Sequence, residues 1–355
     1  MPRRTAGFTL VEVMVSAGIV VVIMGVLLSM TDQTQRLMRT TSAKVEQFQQ
    51  ARVAFETMTR RLAQASLNTF WDYEYVGGRP KRYQRAAELR FVSGVTTTLT
   101  KGPGDNGRTR PGHSVFFHSP NGYVEDQANF GALDLLINAG GYFVEIGTDE
   151  DTIPPFLVGN IPARKRFRLM ELMQPSEQLR TYQFQQAGAT DWFAPLVTAP
   201  IKDRKVRVLA ENIVALIILP RLSKADELLW MKGSKTPPVL APLYSYDTTN
   251  IKVSDPILNP HNQLPPVIQV AMIAIDEPSA KKLEESSGND ANLGLDYSKL
   301  FRNPSVLEDD PSTVTPNDGD LSKLETMLTS KHASYRIFST NVSIRGAKWS
   351  RSQAN

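Results

Sequence analysis

The chain has 355 residues, of which 41% are apolar and 21% charged, enough apolar material for a folded core and too much for an intrinsically disordered protein. A net charge of +4 is small for a nucleic-acid binder of this length. The lack of cysteine excludes disulfides, thiolate metal sites and a cysteine nucleophile, but leaves an extracytoplasmic location open. Proline is absent from residues 3–79, so only this part is expected to form a long uninterrupted helix.

Residues 8–30 form an apolar run with a single charged residue, Glu12. About 20 apolar residues span a bilayer as a helix, so the run predicts a transmembrane segment. Arg3 and Arg4 precede it and favour a cytoplasmic N-terminus, with the rest of the chain across the membrane. The run is longer than the core of a secretory signal and no small-residue cleavage site follows it, so we expect no cleavage after it.

Glu12 is the anomaly of this run. A charged side chain costs about 2.5–3.5 kcal/mol at the bilayer centre and less near the headgroups. Two interpretations follow: Glu12 lies close to the membrane surface, or it pairs with a positive charge from another subunit.

The segment Gly7-Phe-Thr-Leu-Val-Glu12, behind a short basic leader and ahead of an apolar helix, resembles the type IV prepilin signal of pilins and pseudopilins. The resemblance implies that a prepilin peptidase cuts between Gly7 and Phe8 and then N-methylates Phe8. It also implies that Glu12 pairs with the N-terminal amine of a neighbouring subunit during assembly, which would offset the burial cost of the carboxylate. A plain signal anchor is the alternative.

After residue 30 the apolar residues change from a solid run to a helical stripe. Steps of three and four residues connect Phe48, Ala51, Phe55, Met58, Leu62 and Ala65. The stripe predicts a helix that continues to about residue 68 and packs one face on the protein's own sheet. A coiled coil is less favoured because the stripe is too short. The pseudopilin resemblance implies the same arrangement, a half-helix laid across a β-rich head.

The rest of the chain, residues 69–355, contains many short apolar segments bounded by turn residues, which predicts a β-rich head. The predicted strands are 88–94, 114–119, 133–138, 142–146, 165–173, 179–185, 213–219, 267–275 and 335–344. We expect 213–219 to be a central strand because it is continuously apolar. We also expect 165–173 and 179–185 to form a hairpin, and a short helix over 321–332.

Two wider resemblances concern the head. Segments 88–94, 208–216 and 264–270 resemble, loosely, the minor pseudopilin J of type II secretion. A further set of segments is similar, over most of the chain, to the prepilin-like Verru_Chthon cassette protein C family; these are 70–75, 113–123, 167–177 and 341–345. Both resemblances imply a pilin-like protein, and the second implies little about mechanism.

Few residues suggest catalysis or metal binding. The histidines are too scattered for a local metal motif, and we interpret them as ordinary core or surface residues; they are His113, His118, His261 and His332. The acidic clusters 149–151, 308–310 and 317–320 lack regular calcium-loop spacing, so we favour solvated loops over calcium sites. The sequence has no nucleophile elbow, phosphate loop or dinucleotide fingerprint.

Two clusters suggest binding. Residues 70–75 are densely aromatic, and Tyr83 is near. We expect them to close the core where the helix meets the sheet, whereas in an exposed position they would stack on sugars or partner proteins. The basic residues of 202–207 are interrupted by Asp203, which together with the small net charge argues against a DNA-uptake pilin.

The sequence therefore predicts an α+β, pilin-like fold with a leader (1–7), a transmembrane and assembly helix (8–30), an amphipathic continuation of that helix (31–68) and a periplasmic head (69–355). The predicted function is a non-enzymatic, minor pseudopilin-like subunit of a type II secretion or type IV pilus-like assembly in the inner membrane. Expected partners are the prepilin peptidase and other pilins or pseudopilins. No cofactor, metal or nucleic acid is expected. The alternative is a single-pass, membrane-anchored periplasmic binding protein or enzyme.

Overall fold

The computed structural model describes residues 9–100, 108–133, 135–150, 153–154, 156–179, 192–199, 204–234, 236–250, 256–288, 290–309 and 318–349. The chain divides into two units, Met1–Gln49 and Gln50–Asn355.

Helix α1 runs from Leu10 to Leu62, 53 residues that contain no proline. In the first unit, the apolar side chains from Leu10 to Met30 are exposed. Such a continuous apolar surface needs an apolar environment that the protein does not itself provide. Within the described part of the chain, α1 is the one helix that is long and apolar enough to cross a membrane.

In the second unit, the predicted apolar stripe of α1 is buried. Phe55, Met58 and Leu62 lie in the core together with Ala51 and the following Ala65. The ring centroid of Phe55 lies 5.9 Å from that of Phe338, which belongs to a strand of the head. The end of α1 therefore packs on the protein's own sheet, as the spacing predicts.

The head contains the strands and the shorter helices. The described strands are β1 (Thr69–Val76), β2 (Arg79–Ala87), β3 (Val92–Val95), β4 (His113–Pro120), β5 (Ile137–Thr148), β6 (Lys165–Gln174), β7 (Val206–Glu211), β8 (Ile213–Arg221), β9 (Tyr246–Asp247), β10 (Val267–Ile275) and β11 (Tyr335–Ser343). The helices after α1 are α2 (Thr96–Leu99), α3 (Gln127–Phe130), α4 (Ala194–Thr198), α5 (Lys224–Met231), α6 (Glu277–Ser287) and α7 (Asp320–Ser330).

Three antiparallel sheets form from these strands. Strands β1 and β2 form a hairpin, β7-β6-β5-β4-β3-β9 form a six-stranded sheet, and β11-β10-β8 form a three-stranded sheet. Strand β8 contacts β4, β5 and β6, so the two larger sheets share a core there. The α+β class with a long N-terminal helix and a β-rich head is confirmed.

Most of the predicted apolar strands are present. Segments 114–119, 165–173, 213–219, 267–275 and 335–344 correspond to β4, β6, β8, β10 and β11, and the predicted short helix corresponds to α7. The prediction at 88–94 overlaps β3, which is shorter and begins at Val92. The predicted strand 179–185 lies outside the described residues beyond Leu179, and so does its proposed hairpin.

The separate strands predicted at 133–138 and 142–146 are wrong, because one strand, β5, covers Ile137–Thr148. The pair Gly140-Gly141 suggested a turn, but it lies inside the strand. A Cβ at Gly141 would lie 2.7 Å from the carbonyl oxygen of Val115 and would collide with the ring of Phe116. Glycine is therefore required there for close packing of β4 on β5.

The prediction that 213–219 is a central strand is also wrong. Strand β8 lies at the edge of the three-stranded sheet, and β10 is its central strand. Every residue from Ile213 to Pro220 is nevertheless buried, because β8 packs against the six-stranded sheet. Pro220, which is opposite Ile268, fits this edge position, since proline has no backbone N–H to donate to a further strand.

Replacing Leu62 by alanine is expected to destabilise the head by about 2–5 kcal/mol, because Leu62 is fully buried and the change leaves a cavity. The matched control is Val53→Ala on the same helix, where the side chain is 63% exposed and we expect a change below about 0.5 kcal/mol. Urea unfolding of the full chain in detergent, followed by the fluorescence of the buried Trp192, measures both. Equal effects of the two substitutions would contradict the packing of α1 on the head.

Candidate functional site

The described chain begins at Thr9, which is the N-cap of α1, and Gly7 and Phe8 lie outside the described residues. The backbone N–H and the hydroxyl of Thr9 both donate to Oε2 of Glu12, at 2.9 and 2.8 Å. The backbone N–H of Glu12 in turn donates to the hydroxyl of Thr9 at 3.3 Å. The segment Thr9-Leu-Val-Glu12 is thus a reciprocal capping box, with the carboxylate at the positive end of the helix dipole.

This geometry leaves half of the Glu12 carboxylate free to bind a cation. Both hydrogen bonds go to Oε2, and no described residue donates to Oε1. Three hydroxyl side chains in and just after the apolar run are satisfied within the helix: Ser16, Thr31 and Thr34 each donate to the carbonyl four residues earlier, at 2.7–2.8 Å. Glu12 is the charged side chain of the run, and its hydrogen bonding is incomplete.

The expectation that the aromatic residues at 70–75 close the core is wrong. Trp71, Tyr73, Tyr75 and Tyr83 are each more than half exposed. They lie on one face of the β1–β2 hairpin, where Tyr73 is directly opposite Tyr83 and their ring centroids are 4.9 Å apart. The strand period puts Glu74, Arg82 and Gln84 on the other face, where they are half-buried, so the aromatic face is the exposed one.

The hairpin is well defined although it is exposed. Gly77 and Gly78 form its turn with φ of +59° and +75°, the left-handed conformation that a two-residue hairpin turn requires. At its base, Arg85 donates to the carbonyl of Lys348 at 2.7 Å. Near its tip, Arg79 and Lys81 are exposed and form no ion pair with any described residue.

The described residues of the predicted basic cluster each form an ion pair. Arg204, Lys205 and Arg207 form ion pairs with Glu145, Glu125 and Glu171, while Lys202 and Asp203 lie outside the described residues. The partners come from β5, β6 and a loop, so the sequence gives no local signal of the pairing.

His113 and His118 are buried in the core on β4. The backbone N–H of Ile218 donates to Nδ1 of His113 at 3.2 Å, and Nε2 of His113 is 3.2 Å from the carbonyl of Phe301, to which it donates. These contacts fix the neutral tautomer, so His113 has no free nitrogen to act as a base. Burial lowers the pKa of both histidines to about 4.

Where the structure describes the acidic clusters, their carboxylates accept hydrogen bonds from within the protein. Buried Asp320 accepts from the backbone N–H of Phe301 at 2.6 Å, and Asp309 accepts from Gly319 at 2.8 Å. Asp151, Asp310 and Asn317 lie outside the described residues. Among the residues that the structure describes, no group of three or more acidic or histidine side chains has the geometry of a metal site.

Comparison with known families decides the nature of the N-terminus. Residues 2–29 match the family described as the prokaryotic N-terminal methylation motif. The chain carries a type IV prepilin-like N-terminal motif. This motif implies processing by a prepilin peptidase and assembly with other pilins, and with the apolar half of α1 it is consistent with a single-pass, membrane-anchored structural subunit.

No curated protein and no solved structure matches the chain significantly. The comparisons thus support neither of the two finer resemblances of the head. The match covers the prepilin-like motif and the first part of α1 and does not extend to the head.

The stability of the head is expected to fall by about 4 kcal/mol between pH 7 and pH 5. In the unfolded chain the two histidines take up protons near pH 6.5, whereas the folded chain keeps them neutral to about pH 4, so acid favours unfolding. Carboxylates contribute mainly below pH 5. Urea unfolding at both pH values should show about half of this fall in the His118→Asn variant. The same fall in the variant and the wild type would contradict the assignment.

Proposed function

We propose that the protein is a non-enzymatic, minor pseudopilin-like subunit of a type II secretion or type IV pilus-like assembly. The methylation motif at residues 2–29, which includes the exposed apolar start of α1, is the observation that supports it. The proposal includes cleavage between Gly7 and Phe8, N-methylation of Phe8, and a cytoplasmic N-terminus in the inner membrane. Kinship with the minor pseudopilin J and with the Verru_Chthon cassette protein C family belongs to the same proposal.

The proposed organisation follows from this function. Residues 1–7 are the leader, 8–30 the transmembrane and assembly helix, 31–68 its amphipathic continuation and 69–355 the periplasmic head. A head of this size hinders dense repetition along a shaft, which favours a minor subunit.

Glu12 is proposed to control entry into the assembly. Removal of the leader creates a new amine at Phe8, and the amine of one subunit would pair with the open Oε1 of Glu12 in its neighbour. The cost of keeping a carboxylate in an apolar environment is then offset only when subunits are in one relative register. Thr9 holds the carboxylate at the helix start before the partner arrives.

The aromatic face of the hairpin is proposed to dock a neighbouring subunit. Tryptophan, tyrosine and arginine are the residues that dominate binding energy at protein interfaces. Among the described strands, β1 pairs with β2 alone, so its outer edge is open to an added strand. The exposed charges of Arg79 and Lys81 favour an acidic partner. We therefore assign the face to an extended, acidic segment of another subunit.

Glu12→Leu tests the assembly role. Insertion and processing should be retained, because the change makes the run more apolar, but co-purification of pilin-like partners from detergent-solubilised membranes should fall at least about tenfold, a loss of about 1.4 kcal/mol. Ser29→Leu, another polar-to-apolar change in the same run, is the matched control and should assemble normally. If Glu12→Leu assembles like the wild type, the helix is only an anchor and the tethered binding protein or enzyme is the better account.

The docking role of the hairpin is tested by the double variant Tyr73→Ala/Tyr83→Ala. Stability should change little, since both rings are exposed, while partner co-purification should fall several-fold. Phe156→Ala removes an even more exposed ring elsewhere and should have no effect. Charge reversal at Arg79 and Lys81 should weaken co-purification as well. Wild-type assembly in both hairpin variants would contradict this role.

A further inference from the structure

A cavity of about 610 Å³ lies beside the start of β7, the edge strand of the six-stranded sheet. Four of its lining side chains are cationic: Arg61 from the last turn of α1, and Arg204, Lys205 and Arg207 from the start of β7 and the residues before it. The remaining lining is mostly polar, and its carboxylate, Glu125, pairs with Lys205 at 2.6 Å. The volume is that of a small-molecule or side-chain site.

The cations are anchored by two fully buried carboxylates on opposite faces of the sheet. In the pairing of β5 with β6, Glu171 is opposite Tyr142 and Glu145 is opposite Arg168. These two pairs are three residues apart along each strand, and side chains alternate between faces, so Glu145 and Glu171 lie on opposite faces of the sheet. Arg207 binds Glu171 at 2.5 Å and Arg204 binds Glu145 at 2.7 Å. The two guanidinium groups therefore reach the cavity from both sides of the sheet edge, held by contacts that fix their positions.

Positive charge exceeds negative charge in this network. Three guanidinium groups surround Glu145, from Arg108 at 2.6 Å, Arg110 at 3.0 Å and Arg204. Two more, from Arg61 and Arg207, flank Glu171. Five cations thus face two carboxylates; of these five, Arg61, Arg204 and Arg207 line the cavity. Burial opposes ionisation of Glu145, but these arginines outweigh it and hold the pKa of its carboxyl below the usual value, so Glu145 stays ionised at neutral pH.

Nε of Arg204 is buried and has no hydrogen-bond acceptor among the described residues, and the side chain is only 5% exposed. A buried donor without an acceptor costs about 1–3 kcal/mol. Acidic groups at the rim do not fill this role, because Glu125 is engaged by Lys205 and Gln178, and Glu177 accepts from the backbone N–H groups of Glu125 and Asp126.

We propose that the cavity binds an oxyanion, a carboxylate or phosphate group carried by a ligand larger than the group itself. Guanidinium groups recognise both anions through paired N–H donors, and an excess of fixed cations in a concave, partly buried site strengthens the attraction. An acidic polypeptide and a phosphorylated ligand are the two sources of this chemistry. The site is distinct from the hairpin and independent of the function of the N-terminus.

The test is calorimetric titration of the full chain in detergent, at constant ionic strength, with hexaglutamate and with inorganic phosphate. We expect saturable binding of at least one probe and a rise in the unfolding temperature with its concentration. Arg207→Gln should weaken binding at least about tenfold. Arg221→Gln, which removes a half-exposed arginine outside the cavity, is the matched control and should leave binding unchanged. Lys205→Gln is a second test that leaves the Glu171 pairs intact.

Each outcome of the titrations either supports the oxyanion site or overturns it. Binding of hexaglutamate alone identifies an acidic polypeptide as the source, binding of phosphate alone identifies a phosphorylated ligand, and binding of both supports the shared oxyanion chemistry. No saturation by either probe below about 10 mM would overturn the proposal, since this is weaker than a built site provides. Equal losses in Arg221→Gln and Arg207→Gln would overturn it too, because they would reveal only general charge attraction.

Discussion

The constraint on which the rest of the molecule depends is a single carboxylate at the start of an apolar helix. A bilayer offers no water to a carboxylate, so the proposed place of Glu12 in a membrane helix calls for partners within protein. The capping box with Thr9 supplies two hydrogen bonds to one oxygen and leaves the other oxygen open. Under the proposed function, this open oxygen is the atom that pairing with a second chain would satisfy.

The end of α1 packs on the head and, unlike the first half, has a buried face. Its apolar stripe packs on the head, and Arg61 in its last turn binds the buried Glu171 of β6. Because removing one partner of a buried ion pair leaves an uncompensated charge, this contact fixes where the helix ends on the sheet. One continuous helix thus connects an exposed apolar segment to a domain that folds around its own core. The exposed hairpin and the cationic cavity are then available for binding.

Sequence reasoning succeeded where one periodicity decides the structure. The pattern of apolar residues predicts the stripe of α1, the apolar run around Glu12 and the strands β8 and β10. It failed for β8, which is as buried as a central strand but lies at the edge of its sheet, because burial does not determine strand order. It also failed at Gly140-Gly141, where glycine allows close strand packing and does not form a turn. The prediction for the aromatic hairpin was wrong because alternation of aromatic and polar residues indicates a strand with two different faces, but does not indicate which face is buried. The arginine–carboxylate network is formed by residues far apart in the chain, so no local pattern predicts it.

The central claim is that the N-terminal motif is used as a prepilin signal. Mass spectrometry of the N-terminal peptide, taken from the protein in native membrane fractions, tests it most directly. The account predicts a mature chain that begins with N-methylated Phe8 and lacks residues 1–7. An intact N-terminus at Met1 in the membrane-inserted protein would contradict it, and Glu12 would then be a tolerated charge in an ordinary anchor.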